Sequence, residues 1–408
     1  MKYSLAILIG RLARVLIRKF RPGGGSALPG LILSKIAPGL LGKTLSSFSD
    51  GLVVITGSAG KSTTTKMAVA IARAHGKVVF TNPSTANIAQ GFYSAIIERA
   101  NLFGRIEGDV AILEMDEGHA AEITRRISPN FVTVLNVLED QLDRFVDPAL
   151  VRDKLALVAA RATKGVALNA DDQNLLLLNN AADLRNVTWF GVAPTVIEDF
   201  EHGLGSAPTY MNEVDRPTVT NEVVSLEGKN TRVRLEQQDS VAALTAARMY
   251  LGDDFDAKLS ARTLDELPPV FARGEIAQVN GEDVEFILVQ NPMSFQLNID
   301  NLESSPEQLM LAIGRDVHDP SWLWTVDLKN IDHVNVLSGY NYAEMGLRLV
   351  YAGIPIESVE PDLEAALDKF FARSKPSQGI KTVIFSADAM RRSRRILGFT
   401  DPEAVDRE

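Results

Sequence analysis

The chain has no cysteine among its 408 residues, and this absence excludes several kinds of chemistry. A protein without thiols has no disulfide framework, no thiolate zinc site, no iron–sulfur cluster and no cysteine nucleophile of its own. Otherwise the composition is that of an ordinary globular protein, with 46% hydrophobic, 23% charged and 7% aromatic residues. These proportions exclude a disordered, collagen-like or coiled-coil chain, and the length predicts two or three domains.

Long apolar runs are missing as well. No stretch reaches the roughly 18 apolar residues that a membrane-spanning helix needs. The first apolar segment is soon interrupted by arginines, which are foreign to the apolar part of a secretory signal peptide. The formal net charge of −10 argues against a general nucleic-acid binder. We therefore expect a cytoplasmic protein that does not bind nucleic acid.

Acidic residues are absent from residues 1–49, which carry eight Lys or Arg. The spacing in residues 4–21 predicts a helix with arginines along one side and large apolar residues opposite. One interpretation is a helix that packs on its own domain and leaves a basic edge in solvent. The other is a peripheral contact of residues 1–22 with anionic headgroups at the inner face of the membrane.

Apolar strands and helical segments alternate from Asp50 to about Gly191. This alternation predicts a mostly parallel sheet with helices on both faces. Residues 193–238 are polar and rich in turn formers, and we interpret them as a small β insertion. A hinge at residues 267–269 precedes a second α/β unit. The predicted domains are an N-terminal lead-in (1–49), a central domain (50–262) and a C-terminal domain (263–408).

The strongest motif directly follows the first strand of this region and opens a helix. Small residues there let backbone N–H groups approach phosphate oxygens, and the helix N-terminus adds partial positive charge. Lys61 would bridge the β- and γ-phosphates, and Ser62 would ligate Mg²⁺. The motif is the shorter GxxGK[ST] form, because Ile55 stands where a standard Walker loop has glycine. The predicted nucleotide-binding residues of this loop are Gly57, Ser58, Ala59, Gly60, Lys61, Ser62 and Thr63.

From this loop onward the chain resembles the Mur ligase superfamily, whose members phosphorylate a carboxylate with ATP. Four further segments match the family in order. They are residues 113–117 (LEMDE), 136–144 (NVLEDQLDR), 169–172 (NADD) and 190–191 (FG). The resemblance implies an α/β fold with a Mur ligase-like P-loop central domain, the small insertion and a C-terminal α/β domain.

The same resemblance implies cofactors and roles for individual side chains. ATP and Mg²⁺ would be the cofactors, with Ser62 and Glu114 as the metal ligands. Lys61 and Glu114 would be catalytic, and Asn169 and Asp172 would face the nucleoside.

Within the superfamily the chain resembles the MurT branch, the synthetase subunits of lipid II isoglutaminyl synthases. Its N-terminal segment is similar to that branch and leaves no room for a separate UDP-binding domain. Gln141 stands where the amino-acid-adding ligases usually carry histidine. The C-terminal part is similar to the branch-specific domain at residues 273–275, 289–292, 314–317, 321–324, 338–339 and 347–353.

The resemblance to this branch implies ATP-dependent amidation of the D-glutamate α-carboxylate of the lipid II stem peptide through an acyl-phosphate. Ammonia would come from a separate GatD-like glutaminase subunit in a heterodimer, which fits the lack of a cysteine nucleophile here. Asp316 would complete the partner's Cys–His pair, with Asp319 as a rival. Arg273 would reach the phosphates when the second domain closes.

Some features depart from the branch and keep alternatives open. Family members commonly carry a four-cysteine zinc ribbon in the region of residues 193–238, so no zinc is expected in this chain. Lys154 lies where some Mur ligases carry a carbamylated lysine, and we interpret it as a surface lysine on a helix. The alternative functions are a ligase that adds an amino acid to another carboxylate, like folylpolyglutamate synthase, and a degenerate nucleotide-binding regulatory subunit.

Overall fold

In a computed structural model the chain forms two compact units. The first comprises residues 1–139, 147–201 and 205–267, and the second comprises residues 140–146, 202–204 and 268–408. The structure describes residues 3–20, 27–82, 88–137, 148–192, 218–219, 224–226, 229–231, 237–267, 273–300, 302 and 304–399.

The predicted domain limit between residues 262 and 263 falls inside a helix of the first unit, Ala257–Glu266. The two units divide after residue 267 instead. Residues 268 and 269 of the predicted hinge lie outside the described residues. The assignment of these units as functional domains stays a prediction.

The first unit alternates helices with strands. Its helices are α1 (Ser4–Phe20), α2 (Ala27–Ile36), α3 (Leu40–Leu45), α4 (Lys61–Ala74), α5 (Ala89–Arg99), α6 (Glu117–Thr124), α7 (Pro148–Ala159), α8 (Gln173–Ala181), α9 (Gln237–Leu251) and α10 (Ala257–Glu266). Its strands are β1 (Gly51–Thr56), β2 (Val79–Phe80), β3 (Val110–Glu114), β4 (Phe131–Val134), β5 (Gly165–Asn169), β6 (Val187–Val192), β7 (Thr218–Val219), β8 (Val224–Leu226) and β9 (Lys229–Thr231).

These strands form one sheet in the order β2-β3-β1-β4-β5-β6-β7-β8-β9. Neighbours from β2 to β7 pair in parallel, and the last two pairs are antiparallel. Residues 52–56 of β1 are all buried, so both faces of the sheet are covered. The predicted mostly parallel sheet is confirmed, and β7 to β9 confirm a β insertion within residues 193–238.

One face of this sheet is covered by α4, α9 and α10. Val53 and Ile55 of β1 pack there with Met67 and Ile71 of α4 and with Leu244 of α9, all of them buried. Burial of each such side chain contributes about 1.5–3 kcal/mol. Because the strands are parallel, the residues that follow β1, β3, β4 and β5 meet at one edge of the sheet, where open α/β sheets bind ligands.

The solvated basic edge of the first interpretation is not observed at Arg11 and Arg14, the two arginines of α1 whose side chains the structure describes. Arg11 donates from Nε and Nη2 to the carbonyl oxygens of Ile97 and Ala100, at 3.1 and 2.5 Å, and Arg14 pairs with Glu98 at 2.6 Å. These carbonyls end α5, where a helix has no donors of its own left to satisfy them. The two arginines therefore face the domain. None of the described helices has the length and hydropathy that crossing a bilayer requires.

The second unit is a smaller α/β layer. Its elements are β10 (Arg273–Val279), β11 (Glu282–Leu288), α11 (Pro292–Asp300), β12 (Leu309–Ala312), a 3₁₀ helix (Pro320–Thr325), β13 (Val336–Ser338), α12 (Tyr342–Tyr351), α13 (Leu363–Phe371), β14 (Lys381–Phe385) and α14 (Ala387–Ile396). The sheet order is β10-β11-β14-β12-β13, with β10–β11 antiparallel and the other pairs parallel. Along β12, Leu309 and Leu311 enter one core while Met310 and Ala312 enter another. The sheet is thus covered on both faces, and the predicted C-terminal α/β domain is confirmed.

Candidate functional site

The phosphate loop connects β1 to α4 as the sequence predicts. Gly57 and Gly60 have φ angles of 139° and 80°, which side-chain-bearing residues rarely adopt. No side chain caps the N-terminus of α4 at Gly60. The first turn of α4 contains Lys61, Ser62 and Thr63, and backbone N–H groups in this position lack carbonyl partners within the helix. The loop therefore has the backbone geometry of a candidate anion site at the edge of the sheet.

Lys61 is folded over this loop. Its Nζ donates to the carbonyl oxygens of Gly57 and Ser58, at 2.6 and 2.9 Å, and to Glu117 Oε2 at 3.0 Å. Burial would lower the pKa of the Lys61 ammonium, but the carboxylates of Glu117, Glu114 and Asp116 hold that pKa above its ordinary value. Lys61 is therefore a fixed cation beside the anion site.

Asn136 pins the loop from the end of β4. Its carbonyl oxygen accepts from Ser58 N at 3.0 Å, and its side chain accepts from Ala59 N at 2.8 Å and donates to Ala59 O at 3.3 Å. Sequence reasoning placed Asn136 in a family-like segment but gave it no role. The rest of that segment from residue 138, including Asp140 to Arg144, lies outside the described residues.

The acidic side of the site follows β3. Glu114 is buried at the end of that strand, and its backbone exchanges two hydrogen bonds with the side chain of Asn82, at 3.0 and 3.1 Å. Asp116 caps α6 by accepting from Gly118 N at 3.0 Å, and it also bonds His119 Nδ1 at 2.8 Å. Glu117, which pairs with Lys61, begins α6. The sequence allows Asp116 and Glu117 to be helix caps or part of a solvated acidic rim. The structure shows the cap at Asp116 and buries both residues, and the contact of Glu117 with Lys61 depends on how α6 meets the loop.

The donor chemistry of this edge fits Mg²⁺. Ser62 and Glu114 offer hard oxygen atoms, and Mg²⁺ is usually held by one or two protein oxygens together with waters and substrate phosphates. Thr63 adds a buried hydroxyl that has no hydrogen-bond partner within the described part of the chain. No group of three or more His, Cys, Asp or Glu residues arranged to hold a metal occurs among the described residues. The chain thus offers a partial ligand set that phosphate oxygens would complete.

Asn169 and Asp172 follow β5 at the same edge, and both are engaged with backbone. Asn169 donates to Leu135 O at 3.0 Å, and Asp172 accepts from Val137 N at 2.6 Å and from Asn174 N at 2.8 Å. Burial raises the pKa of the Asp172 carboxyl, and these amides oppose part of the rise. The two side chains shape the loops after β4 and β5, and their contact with a nucleoside stays a prediction.

Asp239 of α9 is a further residue at the loop that sequence reasoning missed. Its Oδ1 accepts from Thr64 Oγ1 at 3.2 Å, and the same oxygen lies well inside van der Waals distance of any Cβ added at Gly60. Asp239 and Thr64 are 175 positions apart in sequence, so no local pattern indicates their contact.

Gly60→Ala is expected to weaken nucleotide binding at least about tenfold, because the new Cβ would have to displace Asp239 and distort the anion site. Titration calorimetry with ADP checks this. Gly76→Ala is the matched control, since Gly76 has a φ of 78° but nothing within 4 Å of the added Cβ. It shares the backbone strain without the clash and should retain ADP affinity. Equal loss of ADP affinity in both variants would show that the clash with Asp239 is not the cause.

Lys154 of α7 lines an open cavity of about 370 Å³ between α6 and α7, together with Glu122, Arg125 and Arg126. The interpretation of Lys154 as a surface lysine on a helix stays a prediction.

Asp316 in the second unit is held by the N-terminus of α14. Its carboxylate accepts from Ser386 Oγ at 2.6 Å and from the backbone N–H groups of Ala387 and Asp388, at 2.8 and 3.0 Å. Asn341 fixes the loop that carries Asp316 by donating to Gly314 O at 2.9 Å and to Val317 O at 2.7 Å. A partly exposed carboxylate is thus held in one orientation.

Asp319 is bound differently. It caps the 3₁₀ helix by accepting from Ser321 N at 3.0 Å, and the hydroxyl and backbone amide of Ser321 lower its pKa. Arg273, the remaining predicted residue, begins β10, and its proposed reach toward the phosphates stays a prediction.

Each of the two units contains a region that is similar to known proteins. Residues 55–203 match the Mur ligase middle domain, and residues 288–387 match the MurT ligase C-terminal domain. The subunit MurT of the glutamine-hydrolyzing lipid II isoglutaminyl synthase of Streptococcus pneumoniae (strain ATCC BAA-255 / R6) is 25% identical over 407 residues, covering 88% of this chain and 89% of the relative.

Two solved structures share the fold. One is MurF ligase from Thermotoga maritima in complex with ADP, with a TM-score of 0.62, 19% identity, and coverage of 93% of this chain and 85% of that one. The other is E. coli FolC in complex with DHPP and ADP, with a TM-score of 0.63, 15% identity, and coverage of 95% and 97%.

The phosphate loop, the sheet and these matches define an ATP-dependent ligase whose residues 55–203 match a Mur ligase middle domain. The C-terminal match and the streptococcal relative narrow this class. The chain is a MurT-like Mur ligase subunit.

Proposed function

We propose that this chain amidates the α-carboxylate of D-glutamate in the lipid II stem peptide, using ATP, to give D-isoglutamine. The observation that carries the proposal is the loop of residues 57–63, with Lys61 fixed between loop carbonyls and Glu117, in a chain whose second unit matches the MurT ligase C-terminal domain. The name of the streptococcal relative supports the choice of substrate.

The proposed reaction has two steps. An oxygen of the acceptor carboxylate attacks the γ-phosphorus of ATP, the bond to the β-phosphate oxygen breaks, and ADP leaves. The nitrogen of ammonia then attacks the acyl carbon of the acyl-phosphate and loses a proton. The carbon–oxygen bond breaks, and inorganic phosphate departs with an oxygen that came from the carboxylate.

The residues of the first unit have distinct parts in the first step. The amides of the first turn of α4 and the ammonium of Lys61 hold the phosphates and stabilise the charge that develops on them. Ser62 and Glu114 would hold Mg²⁺, which would neutralise phosphate charge. Asn169 and Asp172 shape the nucleoside side of the site.

Ammonia is proposed to come from a glutaminase subunit in a heterodimer. This chain has no cysteine and therefore no thiol nucleophile for glutamine hydrolysis. Asp316 is suited to orient a partner histidine, because Ser386 and the start of α14 hold its carboxylate in place.

Exposed aromatic side chains of the second unit support a protein partner. Trp324 and Tyr351 contact each other edge to face, with ring centroids 5.2 Å apart, and Arg315, next to Asp316, lies 5.1 Å from the Tyr340 ring centroid. These three aromatic side chains are 44–73% exposed, and aromatic residues of this kind are enriched at protein interfaces. The complex would work in the cytoplasm, on the inner leaflet where a lipid-linked acceptor is presented.

The test supplies the chain with lipid II, ATP, Mg²⁺ and ammonium chloride, without a partner, and follows the product by mass spectrometry. Conversion of carboxyl to amide is the expected result, and adding a glutaminase subunit should let glutamine replace ammonium. Product formed with a free amino acid but not with ammonium would indicate an amino-acid-adding ligase. Nucleotide binding without any product would indicate a regulatory subunit.

A further inference from the structure

The outward face of α1 is apolar over three turns. Six aliphatic side chains recur there at helical spacing, and each is between 38% and 69% exposed. They are Leu5, Leu8, Ile9, Leu12, Val15 and Leu16. From residue 5 to residue 16 this stripe is about 17 Å long. Single exposed aliphatic residues are common on protein surfaces, but a continuous stripe of this kind marks an interaction site.

The orientation of α1 is fixed by its inner face. Ala6 and Ile7 are buried, and any Cβ added at Gly10 would meet the Ile97 side chain at 3.0 Å. On the same side, Arg11 and Arg14 are held by α5 through the bonds described above. Turning the apolar stripe inward would break the hydrogen bonds of Arg11 and the ion pair of Arg14, so the stripe faces away from its own domain.

Charge around the stripe favours an anionic surface as its occupant. Lys2, Arg18, Lys19 and Arg21 flank the stripe in sequence, and residues 1–49 contain no carboxylate side chain. The remainder of the chain is strongly acidic, so cations are concentrated at this end. An aliphatic stripe with flanking cations is the pattern of helices that lie in the headgroup region of anionic membranes.

We propose that α1 docks this chain on an anionic lipid bilayer, with the six aliphatic side chains inserted among the acyl chains. The helix lies in the plane of the interface and does not cross it. This inference rests on the proposed function in one respect, because the proposed acceptor is a membrane-bound lipid. The docking itself needs neither nucleotide nor acceptor.

Cosedimentation with vesicles of phosphatidylglycerol and phosphatidylcholine tests the proposal on the full chain without substrates. We expect binding that weakens on vesicles of phosphatidylcholine alone and at high salt. The triple variant Leu8→Gln, Leu12→Gln, Leu16→Gln should lose at least about tenfold in affinity, because three inserted apolar side chains are removed. All three positions are exposed, so the fold should persist.

The matched control carries glutamine at three leucines of similar exposure on α7 and α8 of the same unit. These are Leu150, Leu157 and Leu177. It should bind like the wild type. Both triple variants should keep ammonium-dependent turnover of a detergent-dispersed acceptor, which separates failure of docking from failure of the proposed function.

Unchanged vesicle binding by the α1 variant, or no binding by the wild type, would overturn the proposal. So would a wild-type dimer that the α1 variant converts to monomer while vesicle binding is absent, because the stripe would then belong to a second copy. Loss of glutaminase binding in place of vesicle binding would assign the stripe to that partner.

Discussion

Replacement of Lys61 by alanine is expected to lower ATP-dependent amidation on the order of 10²–10³-fold, the cost typical of removing one preorganised donor from a developing oxyanion. Lys61 is the cation that lies across the phosphate loop, and its ammonium is kept charged by Glu117, Glu114 and Asp116. Phosphate release in the ammonium-dependent reaction measures the loss. The reaction should not recover at saturating ATP, because the lost interaction stabilises the transferring phosphoryl group.

Lys258→Ala serves as the control for Lys61→Ala. Lys258 is an exposed lysine on α10 of the same unit, and its removal should leave phosphate release unchanged. Removal of Lys61 also leaves Glu117 buried without its cation, so thermal unfolding of both variants should be recorded. A folded Lys61→Ala protein with full turnover would exclude the proposed role of the loop.

Replacement of Asp316 by asparagine is expected to separate the two nitrogen sources. Glutamine-dependent amidation by the complex should fall on the order of 10⁴-fold, the effect of losing the aspartate that orients a catalytic imidazole. Ammonium-dependent amidation should stay near the wild-type rate, because Asp316 lies in the second unit and has no proposed part in phosphoryl transfer. The two assays are run on the same preparation, so the ammonium reaction reports on the integrity of the fold.

Two further variants test whether Asp316 is the carboxylate that glutamine-dependent amidation needs. Asp319→Asn tests the rival carboxylate, which caps the 3₁₀ helix, and it should keep most glutamine-dependent turnover. Ser386→Ala removes one bond to Asp316 and leaves the two backbone bonds, so an intermediate loss is expected. If Asp319→Asn abolishes glutamine use and Asp316→Asn does not, the assignment of Asp316 is wrong.

The sequence predicts the layers of this protein well because burial leaves a local signature. Strand β1 is apolar at consecutive positions, as a strand covered on both faces must be, and the structure buries residues 52–56. The phosphate loop with Gly57, Gly60 and Lys61 can be predicted equally well, because it is one continuous segment of the sequence. Its place between a strand and a helix follows directly from the sequence.

Contacts between distant segments could not be predicted in the same way. Glu117 reaches Lys61 across 56 positions, and Asp239 reaches Thr64 across 175. Asn136 holds the loop over a comparable distance. Each of these contacts depends on the register of parallel strands and on helix packing, which no short pattern encodes.

The orientation of α1 shows the limit most clearly. Its periodicity identifies an apolar and a basic side but does not decide which side faces the domain. The decision comes from unsatisfied carbonyls at the end of α5 and from Glu98, which together bind Arg11 and Arg14. A sequence rule that places apolar residues inside therefore holds for Ala6 and Ile7 of this helix and fails for its six exposed aliphatic residues.

Transfer of a carboxylate oxygen to phosphate tests the central claim most directly. Lipid II labelled with a heavy oxygen isotope in the D-glutamate α-carboxylate is incubated with the chain, ATP, Mg²⁺ and ammonium, and the released phosphate is analysed by mass spectrometry. The acyl-phosphate route predicts one labelled oxygen in the phosphate for each amide formed. Amidated product accompanied by unlabelled phosphate would contradict activation of the carboxylate by phosphorylation.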